Sequence, residues 1–107
     1  MKHYAVVITP FAGENILEAF RWYQLENPVY AAKWKSGLEE KILSLEIFPE
    51  SHPLAPENSE FEEEIRQLLY GKASPWRVLF TVLNSKVYVL HVRHGQRDYW
   101  RPGARQF

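Results

Sequence analysis

The chain contains no cysteine, which removes a disulfide scaffold, a thiolate zinc site and a cysteine nucleophile together. That absence suits a reducing compartment. No apolar run approaches the roughly 20 residues that a membrane-spanning helix needs, so no membrane partner is expected. The opening residues, Met1-Lys2-His3-Tyr4, lead straight into a strand-like segment and lack the apolar core of a signal peptide. A soluble, cytoplasmic protein is the expectation. Metal-ligand spacings are missing too: there is no HExxH and no carboxylate cluster with a histidine three or four positions on. A Gly-rich phosphate loop and a GxSxG elbow are likewise absent, and no cofactor is expected.

What is present suffices for one domain. The 107 residues are 46% hydrophobic and include 4 Trp, 6 Tyr and 6 Phe, enough apolar mass for a core without staples. The formal net charge is zero, but it is unevenly spread. Residues 1–64 hold five Lys/Arg against twelve acidic residues, whereas residues 65–107 hold eight Lys/Arg against one. Such a split has two readings. Either the basic part meets an anionic partner, or the two halves attract one another within the fold.

Tyr4-Ala5-Val6-Val7-Ile8 reads as a strand that ends at Thr9-Pro10. Thr9 can cap a helix with Pro10 in its first turn, and Ala12, Ile16, Phe20 and Tyr23 then recur at helical spacing to about Leu25. Asn27-Pro28 repeats the signal. It opens a second helix with Ala31, Trp34, Leu38, Ile42 and Leu45 on one face, stopped by Pro49. So short a break predicts an antiparallel helical hairpin. Residues 49–60 contain three prolines and read as a loop joining two layers. Three strands follow, at 64–70, 76–83 and from Lys86 to Val92 or beyond, with tight turns at Gly71–Ser74 and Asn84-Ser85. The expected fold is α+β: a strand, a two-helix antiparallel hairpin, then a three-stranded antiparallel sheet, all in one domain.

If residues 83 and 86 flank the last turn, 81 pairs with 88, 79 with 90 and 77 with 92. One face then carries Trp76, Val78, Phe80, Val82, Val87, Val89, His91 and Arg93 and is expected under the helices. The other carries Arg77, Leu79, Thr81, Leu83, Tyr88, Leu90, Val92 and His94 and is expected to be partly exposed. Arg77, inside an otherwise apolar strand, must find either an ion pair with an acidic residue in 60–64 or an open concavity where its planar fork holds phosphate or carboxylate. Arg66 shares a face with Leu68 and Tyr70. Arg93-His94-Gly95-Gln96-Arg97 ends the last strand with three cation-forming side chains around a glycine, whose backbone freedom would let Arg97 fold back. The binding candidates are therefore Arg66, Arg77, Arg93, His94 and Arg97. Arg77, Arg97 and His94 become catalytic candidates if the chain is a nuclease, with His94 as acid–base group.

The ordered set of local phrases resembles the RelE/ParE superfamily of bacterial toxins from type II toxin–antitoxin pairs, over nearly the whole chain. It comprises the opening strand into Thr9-Pro10, Asn27-Pro28 followed by Ala31-Ala32, and Leu45 with Phe48-Pro49. Ile65-Arg66-Gln67-Leu68, Trp76-Arg77-Val78-Leu79-Phe80 and Val87 through Gly95 complete it. The resemblance implies a toxin neutralised in a hetero-oligomer by a cognate antitoxin that wraps over it. In the RelE-like branch it implies a ribosome-dependent mRNA endonuclease, with Arg77 and Arg97 matching that branch's arginines and Arg66 its basic strand. In the ParE-like branch it implies a non-enzymatic inhibitor of DNA gyrase. Tyr99 follows Arg97 by only two residues, closer than the RelE pattern places its tyrosine, and the ParE-like branch is the reading adopted. A third reading is a degenerate member that only binds its antitoxin.

Overall fold

The computed structural model describes residues 2–72 and 75–95. Strand β1 spans Ala5–Ile8 and leads into helix α1, Pro10–Glu26, and helix α2, Pro28–Leu43. Three short 3-10 turns follow, at Ser44–Glu46, Pro49–Ser51 and Pro56–Glu60. Strands β2 (Arg66–Tyr70), β3 (Trp76–Leu83) and β4 (Lys86–His94) complete the described chain. No helix among the described residues is long and apolar enough to cross a membrane.

The two proline-led helices form as their caps dictate. Thr9 accepts the Ala12 N–H on its side-chain oxygen at 3.4 Å, a long contact, and its amide and hydroxyl both donate to the Val89 carbonyl, at 3.1 and 2.7 Å. The start of α1 is thereby anchored to the sheet. Asn27 serves both helices: its N–H closes α1 onto the Tyr23 carbonyl at 2.8 Å, and its Oδ1 accepts from Tyr30 N–H at 3.0 Å to open α2. Helix α2 ends at Leu43, six residues before Pro49, and Leu45 stays in the core from the following 3-10 turn.

Among the described residues the sheet has four strands, not three. Its order is β1-β4-β3-β2, with β1 parallel to β4 (Val6 opposite Val87) and the other neighbours antiparallel. The expectation of a purely antiparallel three-stranded sheet is corrected because the helical hairpin returns the chain so that β1 can pair with the far side of β4. Where β1 has already turned into α1, Asn15 Oδ1 accepts the next free β4 donor, Val92 N–H, at 3.0 Å.

The β3–β4 register also differs from expectation. From the turn it runs as derived, with Leu83 opposite Lys86, Thr81 opposite Tyr88 and Phe80 opposite Val89. A bulge then intervenes, so that Leu79 faces His91, Val78 faces Val92, Arg77 faces Arg93 and Trp76 faces His94. One extra residue, Leu90, exchanges the faces of everything beyond it. Val92 therefore enters the helix-side core with Val78, Phe80, Val87 and Val89, against Ile16, Trp34, Leu38 and Ile42. His91 and Arg93 move to the opposite face, and His94 moves to the helix side.

That opposite face is largely covered. Ala55, Ile65 and Leu79 form a second buried cluster with Phe61 and Leu90 beside it, so the Pro-rich segment folds across the sheet. Tyr70, from the β2 end, reaches to donate its hydroxyl to the Trp34 carbonyl at 3.0 Å, and it fills the space above Gly37. A Cβ at residue 37 would collide with that hydroxyl. Gly→Ala inside a helix ordinarily gains about 1 kcal/mol. Gly37→Ala is expected instead to lose roughly 1 kcal/mol by overpacking. Urea unfolding checks this, and Tyr70→Phe in the same chain should recover most of the loss.

Candidate functional site

Arg77, near the start of β3 and opposite Arg93, is buried under the covered face, and its guanidinium is engaged. Nη1 and Nη2 donate to the two Glu57 carboxylate oxygens at 2.9 and 2.6 Å, and Nε donates to Gln67 Oε1 at 3.1 Å. The Arg77 and Glu57 side chains are 2% and 1% exposed. The pair is bidentate and shut away from water, the geometry in which planar guanidinium and carboxylate suit each other best. The expectation of an open concavity at Arg77 is corrected: an ion pair holds it, and the partner is Glu57 rather than a residue in 60–64.

Glu57 reaches Arg77 because its loop is sewn to the sheet edge. Ala55 N–H donates to the Ile65 carbonyl at 2.7 Å and Gln67 N–H to the Pro53 carbonyl at 3.0 Å, so the loop continues the sheet beside β2. Ile65 N–H donates to Asn58 Oδ1 at 2.8 Å, and the Thr81 hydroxyl donates to the Glu64 carbonyl at 2.9 Å. These ties set the Pro56–Glu60 turn directly over Arg77.

The other candidates do not gather around Arg77. Arg66 lies opposite Phe80 and so on the helix side of the sheet. Its Nη1 donates to the His52 carbonyl at 2.7 Å and its Nη2 to Glu64 Oε1 at 3.1 Å. His94, partly buried, also lies on the helix side, its ring 5.0 Å from Trp76 at an interplanar angle of 63°. Of the described candidates, Arg93 alone joins Arg77 on the covered face, partly exposed beside it. Arg97 lies outside the described residues, as does Tyr99. Both described arginine ion pairs, Arg77 with Glu57 and Arg66 with Glu64, join the basic second half to the acidic first half. Attraction within the fold therefore uses part of the charge split.

Sequence reasoning missed three features. Glu57 sits in a Pro-rich segment with no periodicity to mark it as buried. Plain alternation puts His91 on the helix side, because nothing in Leu90-His91 signals a bulge. It is fully buried, with the Phe11 ring edge-on at 5.0 Å. Burial lowers its pKa to about 4, the Arg93 and Arg77 charges adding to the effect and Glu57 opposing it. The third is a pocket of about 270 Å³ at the hairpin-turn end of the covered face, lined by Phe61, Glu63, Ile65, Thr81, Leu83, Tyr88 and Leu90.

Comparison with known proteins decides the family. Residues 6–99 match the model of the ParE toxin of the type II toxin–antitoxin system ParDE. The chain belongs to the ParE toxin family. It is thus a RelE/ParE superfamily toxin of a type II toxin–antitoxin system, and a cognate antitoxin is its partner. Among solved structures it is similar to a chain of the chromosomal ParDE system from P. aeruginosa. The TM-score is 0.72 at 18% identity, over 88% of this chain and 98% of that one. At that identity the likeness speaks for the fold. No curated protein matches by sequence.

Two outcomes follow for this ParE-family toxin. Removing one partner of the buried pair strands the other charge, so Arg77→Met and Glu57→Gln should each lose about 3–5 kcal/mol in urea unfolding. The double variant Glu57→Gln/Arg77→Met should lose less than either single one. The second outcome concerns acid. An unfolded histidine titrates near 6.5 and native His91 near 4, so between these values the unfolded state binds more protons. Stability conferred by neutral His91 is complete above about pH 6.5 and falls as pH drops toward 4, by up to about 1.4 kcal/mol per unit. His91→Leu should flatten that slope in unfolding curves taken from pH 7 to pH 4.

Proposed function

We propose that this ParE-family toxin arrests growth in the cytoplasm by binding DNA gyrase, with no chemistry of its own, until its antitoxin neutralises it. The dispersal of the candidate cations among the described residues carries this reading. A nuclease needs its phosphate-binding arginines and its proton carrier within hydrogen-bond reach of one scissile phosphate. Here the Arg77 fork is taken up by Glu57, while Arg66 and His94 lie on the opposite side of the sheet. The family match adds support, since the resemblance ties its ParE-like branch to gyrase. Arg93, at the partly exposed end of the Arg77 face, is the docking cation we assign, with Arg97 following it in the chain. Arg77 acts as a positioning residue that keeps the loop on the sheet. Plasmid stabilisation fits a toxin of this kind.

The test is controlled expression in bacteria, with DNA supercoiling and messenger RNA integrity followed in the same cells. Altered supercoiling or DNA breaks with intact message are expected, and Arg93→Glu should weaken them about 10-fold or more if that arginine docks. Rapid cleavage of message within translated regions would overturn the reading in favour of a RelE-like endonuclease. Growth without arrest, from a folded toxin, would leave only antitoxin binding.

A further inference from the structure

We infer that the pocket at the hairpin-turn end of the sheet receives an apolar side chain of the antitoxin, carried on a segment that is basic beside that side chain. The inference rests on the family's antitoxin partnership and not on the gyrase reading. Its volume of about 270 Å³ falls just below the roughly 300–1,000 Å³ of small-molecule sites, so it suits one or two side chains. The walls are mainly apolar, from Phe61, Ile65, Leu83, Tyr88 and Leu90. Thr81 also lines it, but its hydroxyl already donates to the Glu64 carbonyl at 2.9 Å. Besides the Tyr88 hydroxyl, the lining holds the Glu63 carboxylate, which is exposed and makes no ion pair among the described residues.

The sign of the surrounding charge follows from the fold. Glu62 is exposed next to Glu63. Lys86, opposite Leu83 across the hairpin turn, is the cation nearest along the strands among the described residues. Among the described residues, the arginines of the second half do not offset these carboxylates: Arg77 is neutralised by Glu57, Arg66 is on the helix side with Glu64, and Arg93 is at the other end of β3, opposite Arg77. An acidic amphipathic segment, the occupant that the basic second half suggests, would meet repulsion from Glu62 and Glu63. A Lys or Arg beside the apolar anchor meets attraction instead. Leu83 is 45% exposed in the free toxin, apolar surface that such an anchor would cover.

The experiment measures the affinity of the purified full-length toxin for its cognate antitoxin at low and high salt. Leu83→Asp and Glu63→Lys alter exposed side chains, and thermal unfolding by circular dichroism verifies that each variant folds. Leu83→Asp is expected to weaken binding about 10-fold or more. Glu63→Lys should weaken it several-fold at low salt, with the loss shrinking as salt rises. Unchanged affinity in both variants would overturn the pocket as the docking site. Tighter or unchanged binding by Glu63→Lys, with Leu83→Asp weakened, would overturn the basic character of the segment. Toxicity of the same variants without antitoxin tests target binding separately, so failure here is distinguishable from failure of the gyrase reading.

Discussion

A carboxylate from the Pro-rich loop and a guanidinium from the middle strand meet out of water, and the covered side of the sheet is organised around that meeting. Two charges buried this deeply are tolerable only with near-complete pairing. Arg77 achieves it with both Glu57 oxygens and the Gln67 side-chain oxygen. The loop that brings Glu57 must therefore lie along the β2 edge, and the backbone bonds from Ala55 and Gln67 hold it there. Ala55 and Phe61 come with it and close over Ile65 and Leu79. The second apolar cluster and the pocket beyond it are consequences of one ion pair and the loop path it requires.

The bulge at Leu90 acts on the same region from the other strand. It places Leu90 beside Leu79 and then sets His91 opposite Leu79, giving the covered face more apolar width than plain alternation would. It also sends Val92 into the helix-side core, where Asn15 takes up its N–H. Without that one-residue shift, Val92 would face the loop, and His91 would lie among Val78, Val87 and Val89. A buried imidazole is easier to hold at the core's margin, against the edge of Phe11, than at its centre.

Charge distribution links these features to function. Counted along the chain, the second half looks like a binding surface for an anion. In three dimensions, two of its arginines are matched by glutamates of the first half, and the described cations are shared between both sides of the sheet. Glu62 and Glu63 are exposed at one end of the covered face, and the partly exposed Arg93 lies at the other.

The local decisions were legible in the residues themselves. Thr9-Pro10 and Asn27-Pro28 mark helix starts because caps and first-turn prolines act within a few residues of chain. The apolar spacing of Ala31, Trp34, Leu38 and Ile42 marks the buried helix face. β-rich composition and the Asn84-Ser85 turn mark the bounds of β3, Trp76–Leu83. The candidate arginines were legible as types but not as partners. Side-chain pairing depends on which loop crosses which strand, and no spacing rule connects Glu57 to Arg77 across 20 residues. The parallel pairing of β1, the bulge and the removal of His94 from Arg77's face were likewise settled only by tertiary structure. Each arises from long-range packing, in which one extra residue in a strand reverses every side chain beyond it while leaving the local sequence preferences satisfied.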